Sequence, residues 1–327
     1  MKERDNSVDV AKGFGILLVL LGHLSIMWTN PDFKYIFHAI YSFHMPMFVI
    51  LSGYFFHSRG RVVDNVYSSF KTLAVPYLKT GLFCLVFSYT FYDDTFTKQL
   101  LYGLFIGNCG NVFSYYTTFP LQGGPMWFLL SLFWCRVTYD IISRRTSRKI
   151  TGVLSFVIFL GAYVIGAKIV TIPLGFGAGL TMLPFYFIGH LLREYPQKKV
   201  FVLYMIPIWL YAVATSYLNM AQFIYGHTPV AFMGGVSGTL VIWNVCKHIK
   251  GVFAKLLSYI GRHTLTILCC HSIIYNLRVP LLQSAHIKSP EGLIDDIVFV
   301  GGSVLVSGLF LLVKFFNYKI HHRYESF

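Results

Sequence analysis

Acidic side chains are scarce in this chain. Thirteen Asp and Glu stand against 27 Lys and Arg among 327 residues, and charged residues of both signs make up only 12%. A water-soluble domain carries about twice that fraction. Apart from Asp9 at a span edge, the acids are almost confined to loops between apolar runs. Their scarcity inside those runs argues against a hydrolase built on paired carboxylates and against a carboxylate proton relay. Also missing are the GxSxG, HExxH and Walker A patterns. Cysteine is sparse, and five of the six (Cys84, Cys135, Cys246, Cys269 and Cys270) fall in apolar segments, with Cys109 outside them. They read as small core residues, not as a disulfide framework or a zinc site, so no metal is expected. Internal repeats, low-complexity tracts and an appended soluble domain are not seen, and residues 1–327 are expected to form one domain. Val8 to Met27 is too long for the core of a secretory signal and no small-residue cleavage site follows it, so it is expected to be a retained first span.

What the chain has in abundance is apolar length. Hydrophobic residues make up 55% and aromatic residues 18%. Runs near 20 residues recur throughout, which predicts an all-α, polytopic membrane helical bundle. We expect about ten spans: 8–28, 35–56, 73–92, 121–141, 151–167, 174–192, 200–218, 229–247, 256–277 and 294–316. The Gly- and aromatic-rich stretch 98–120 reads as a re-entrant or interfacial segment. With the N-terminus inside, twenty Lys and Arg fall on the cytoplasmic side. Lys34, Lys98, Lys168, Arg278 and Lys288 fall outside. This bias predicts an even number of spans with both termini cytoplasmic. It also explains the net charge of +14 without nucleic acid.

Ionisable residues inside a bilayer are costly and point to function by default. Lys12 and His23 lie eleven residues apart in VDVAKGFGILLVLLGHLSIMW. A continuous helix would put them within about 20° on one face and roughly 16 Å apart along the axis. Asp9 shares that face one turn earlier. The bland alternative is a snorkelling lysine and a hydrogen-bonded packing histidine. In the second span, YSFHMPMFVILSGYFF, His44 precedes Pro46, with Ser52 and Gly53 further on. The proline frees a backbone carbonyl near Ser42, and the small residues allow close helix approach. A plain proline kink explains the same pattern. Arg59, Arg61 and Lys71 near the inner end of span three could hold an anionic ligand, or mark topology and anionic membrane lipid. Trp127, in GGPMWFL at the outer entrance of span four, suits interface anchoring and would also stack on a sugar face. His190, Arg193 and His271 are weaker candidates.

Taken together, these segments resemble the integral-membrane acyltransferase family 3, bacterial O-acyltransferases that modify surface polysaccharides, including fucose 4-O-acetylase-like proteins. The resemblance rests on RDNSVDVAKGFGILLVLLGH, FHMPMFVILSGYFF, GGPMWFLLSLF and IGRHTLTILCCHSII, in that order along nearly the whole chain. It implies acetyl transfer from acetyl-CoA to a sugar hydroxyl, with a glycan or undecaprenyl-linked sugar as acceptor, in the bacterial cytoplasmic membrane. By position, His23 matches the family's essential histidine, Lys12 its basic residue and Asp9 its N-terminal acid. His44, Pro46, Ser52 and Gly53 match the second-helix motif. There are two departures. Lys12 stands where the family often has arginine, replacing a bidentate fork by a point charge. The third-helix stretch FKTLAVP carries Lys71 alone, where two arginines are common. No SGNH-type domain follows, as in a stand-alone form. A transporter or flippase of a glycolipid or small polar solute is the rival reading of ten spans with buried polar groups.

Overall fold

The computed structural model describes residues 6–324 except 59, 92–93, 108–109, 114–117, 122–123, 171, 196–198 and 285–291. Of 110–113, 118–121, 199–200, 279–281, 283–284 and 315–324 it describes the backbone alone. Arg59 and Cys109 therefore lie outside the described residues.

The chain is a helical membrane bundle, and each of the ten apolar segments is helical. The first three give α1 (Asn6–Gly22), a short α2 (Ile26–Thr29), α3 (Lys34–Tyr54), α4 (Val62–Ser69) and α5 (Val75–Phe91). A turn of π-helix over Phe70–Ala74 joins α4 to α5. It lies just before Pro76, whose ring clashes with the carbonyl four residues back and opens the turn. After α6 (Asp94–Ile106), the strands Gly110–Phe113 and Thr118–Leu121 pair as an antiparallel ribbon. The stretch 98–120, expected to be re-entrant or interfacial, thus holds the end of α6 and most of this ribbon. The rest comprises α7 (Trp127–Arg145), α8 (Arg148–Lys168), α9 (Phe176–Thr181), α10 (Leu183–Glu194), α11 (Lys199–Thr215), α12 (Thr228–His248), α13 (Gly251–Arg262), α14 (Thr264–Ser284) and α15 (Leu293–Tyr324).

Among the described residues, five helices are long and apolar enough to cross a membrane: Pro31–Tyr54, Val62–Phe91, Arg148–Lys168, Thr228–His248 and Leu293–Lys314. Three other expected spans are interrupted. The first breaks after Gly22, the sixth between α9 and α10, and the ninth between α13 and α14. Pro184 explains the second break, because proline fits the first turn of a helix but not its interior.

The outer surface is apolar. Leu82, Phe83 and Val86 on α5, Val153, Val157 and Leu160 on α8, and Leu305, Leu309 and Leu312 on α15 are all exposed. Patches of that extent are a liability in water and an asset in lipid. Inside, small residues let backbones touch, as membrane helix packing favours. At the α1–α13 crossing, a Cβ on Gly261 would collide with the Asp9 carbonyl, and one on Gly13 with that of Leu257. Gly261→Val is therefore expected to destabilise the protein by about 1–3 kcal/mol, read as a lower unfolding temperature in detergent. Gly301→Val, at an exposed position of α15 with nothing nearby, should leave that temperature unchanged.

Candidate functional site

Two cavities lie one beyond the other along α1. The one towards the start of α1, termed inner after that end of the helix (the other is termed outer), has about 400 Å³ and is lined by Lys12 and Ile16 of α1, Ser52 of α3, Asn65 and Ser68 of α4, and Arg136 and Asp140 of α7. The outer one, of about 650 Å³, is lined by His23, Trp28, His38, Tyr41, His44, Trp127, Tyr217, Asn219 and Tyr275, among others. Val19, Met45 and Leu268 line both. Lys12 and His23 thus face different chambers that abut at a three-residue wall. Both volumes fall in the range of ordinary ligand sites.

His23 owes its place to the end of a helix. The last turn of α1 leaves carbonyls without intrahelical partners, and the chain satisfies them in place. His23 Nδ1 is 2.6 Å from the Val19 carbonyl, and its backbone N–H donates to Leu20 at 3.1 Å. Trp28 Nε1 donates to Gly22 at 2.9 Å. The following turn is clamped by α15. The Asp296 carboxylate accepts from the backbone N–H groups of Ser25 (2.5 Å) and Ile26 (3.2 Å), the start of α2. The His23 ring meets His271, Tyr275 and Phe299 with centroids 5.7, 5.3 and 6.5 Å away. Behind them, Arg278 is buried between Tyr275 (4.6 Å) and Phe299 (4.9 Å), and its Nε donates to Asp295 at 2.9 Å.

His44 repeats the histidine arrangement, with Nδ1 2.8 Å from Ile40 O, and so does His271, 3.1 Å from Ile267 O. An Nδ1 that donates to a carbonyl leaves Nε2 of a neutral imidazole as the acceptor. His23 and His44 both border the outer cavity. The aromatic wall beside them includes Phe37 and Tyr41, each stacked on Tyr217 with centroids 6.0 Å apart.

In the inner cavity, Lys12 Nζ lies 5.1 Å from the centre of the Phe55 ring. Ser52 and Arg136 stand at the Tyr186 hydroxyl. The Asp140 carboxylate accepts from Arg144 Nε at 2.9 Å, and Arg144 also donates to Gly60 O at 2.8 Å, tying α7 to the loop after α3.

The structure brings Lys12 and Ser52 to the inner cavity and His23, His44 and Trp127 to the outer one. Asp9 is buried on α1 one turn before Lys12. Lys71 is exposed on the π turn, and Arg61 is 85% exposed beside Asp64 at 3.7 Å. Neither borders a described cavity. Two further residues bear on the site: Arg136 on α7, which lines the inner cavity, and Arg278 on α14, behind His23. Their signal was present in the letters: each is a lone arginine among apolar neighbours. Among the described residues, no three His, Cys, Asp or Glu converge as metal ligands.

A 60-residue stretch is 45% identical to nodulation protein NolL of Mesorhizobium japonicum and covers 16% of this chain and 15% of that protein. The same protein of Sinorhizobium fredii is 46% identical over 60 residues, again 16% and 15%. The matched stretch thus spans about a seventh of these curated relatives. No solved structure matches. The profile of the acyltransferase domain family, Acyl_transf_3, matches residues 5–313. The chain belongs to that family, and it carries the family's domain as a helical membrane bundle.

Proposed function

We propose that this enzyme moves an acetyl group from acetyl-CoA to a hydroxyl of a cell-surface or lipid-linked glycan, such as an undecaprenyl-linked sugar. In this reading ten segments cross the bacterial cytoplasmic membrane, both termini are cytoplasmic, and the whole chain is one domain. The observation that carries it is the pair of abutting cavities, with Lys12 in one and His23 in the other.

The inner cavity suits the donor. Lys12 and Arg136 offer cations and N–H donors to an anionic, amide-rich ligand. Arg59, Arg61 and Lys71 would hold the phosphates at the inner surface, and Asp9 would steady Lys12. Ser52 lies along the path of the pantetheine arm, whose thioester would reach the wall at Val19, Met45 and Leu268. The outer cavity suits the acceptor. Trp127 and the Tyr41–Tyr217 wall offer ring faces to a sugar, and Asn30 and Asn219 offer hydrogen bonds.

His23 Nε2 takes the proton from the acceptor hydroxyl as its oxygen attacks the thioester carbon. The tetrahedral intermediate then collapses, the C–S bond breaks, and the leaving thiolate recovers the proton from the imidazolium. His44 orients the acceptor or shares the proton. In a two-step variant, His23 itself takes the acetyl group and passes it to the hydroxyl.

The test is to incubate the protein in nanodiscs with labelled acetyl-CoA and lipid-linked sugars. Label on the sugar is expected. Binding without transfer would favour a transporter or flippase. In the same assay Lys12→Ala should lose at least tenfold in kcat/KM, with Lys12→Arg closer to wild type. Equal rates for Lys12→Ala and wild type would remove Lys12 from the site.

A further inference from the structure

The wall between the cavities has a composition of its own. Val19 is 3% and Leu268 9% exposed, Met45 is half-buried, and their side chains present only alkyl and thioether groups. Each is tied to one of the three buried or half-buried imidazoles. The Val19 carbonyl holds His23, Met45 follows His44, and Leu268 precedes by one turn His271, whose ring faces that of His23. A thioester carbon attacked by a hydroxyl that His23 deprotonates must sit within about 3–3.5 Å of that oxygen. In the acyl-transfer reading, a donor in the inner cavity and a hydroxyl in the outer one would bring that carbon to the residues common to both, with these three side chains as neighbours.

We propose that Val19, Met45 and Leu268 determine the length of the acyl group, admitting acetyl and rejecting longer chains. The proposal rests on the acyl-transfer reading above. The wall is apolar, so it accepts a methyl group without leaving a polar partner unsatisfied. Val19 and Leu268 are almost wholly buried, so an acyl chain that grows into the wall must displace them. One methylene in an apolar pocket discriminates by roughly 10–200-fold. Leu268 and Met45 are the positions to vary, because the Val19 backbone carries the His23 hydrogen bond.

The experiment offers the nanodisc-embedded enzyme an equimolar mixture of acetyl-, propanoyl- and butanoyl-CoA with one glycan acceptor, and reads the products by mass. Wild type should favour acetyl over butanoyl by at least tenfold. Leu268→Ala and Met45→Ala should each raise the butanoyl-to-acetyl ratio about tenfold or more. Leu268→Val, a smaller cut for the case where alanine prevents folding, should raise the propanoyl-to-acetyl ratio. Leu100→Ala, buried on α6 and away from both cavities, should leave all ratios as in wild type. Unchanged ratios in folded, acetyl-transferring Leu268 and Met45 variants would overturn the proposal while leaving acyl transfer intact. So would a wild type that uses butanoyl-CoA as well as acetyl-CoA. No transfer of any acyl group by wild type would instead overturn the acyl-transfer reading.

Discussion

Replacing His23 by alanine is expected to lower acyl transfer by about 10²–10⁴-fold, the usual contribution of a positioned general base, without unfolding the protein. The ring is half-buried at the mouth of the outer cavity. Its Nδ1 satisfies one carbonyl at a helix end that retains other partners, among them Trp28 Nε1 on Gly22. Thermal unfolding should therefore move little while label transfer collapses. Wild-type transfer by His23→Ala would remove His23 as the base. Quenching wild type with labelled acetyl-CoA and no acceptor separates the two chemical routes. Label bound to His23 identifies a relay through an acetyl-histidine, and unlabelled protein identifies direct attack by the hydroxyl. His44→Ala should lose less, since His44 shares the cavity but lacks the contacts with α14 and α15 that fix His23.

Arg278→Met is expected to cost about 3–5 kcal/mol of stability, because it leaves the Asp295 carboxylate buried without its guanidinium. Asp295 is 2% and Arg278 10% exposed at the side chain, so solvent screens the pair little. Removing both charges, as Arg278→Met with Asp295→Leu, should recover most of that loss. Unfolding in detergent or nanodiscs measures both. A single variant as stable as wild type would show that water or lipid headgroups reach the pair. Arg278 also packs on Tyr275 and Phe299, which contact His23. The single variant should therefore lose activity beyond what its lost stability explains.

The helical class was legible because bilayer-length apolar runs carry few competing interpretations. Lys12, His23, His44, Ser52 and Trp127 were legible because an ionisable, polar or amphipathic residue stands out in such a run, and all five border the two cavities. The break at Gly22 was harder to read. Local bonds from His23 and Trp28 satisfy the end of α1, but the turn is also held from 271 residues away by the Asp296 carboxylate on Ser25. The partners of Arg136 and Arg278 were hidden for a related reason. Counting charges assigns each residue to a side of the membrane by its neighbours in sequence, whereas a guanidinium within the bundle is held by neighbours in space: the Tyr186 hydroxyl for one, Asp295 for the other. The ribbon at 110–121 carried no alternation strong enough to distinguish it from an interfacial segment.

The three-residue wall has an electrical consequence as well. Were both chambers filled with water, the thin septum between them would carry most of a membrane voltage. A unit charge carried through the full drop does work of about 2.3 kcal/mol per 100 mV. In the proposed reaction a neutral acyl group would pass Val19, Met45 and Leu268 with no such work, while the phosphates of its carrier would stay in the inner chamber. The same alkyl lining gives protons and ions no foothold, so a passage that admitted a two-carbon group would remain an insulator.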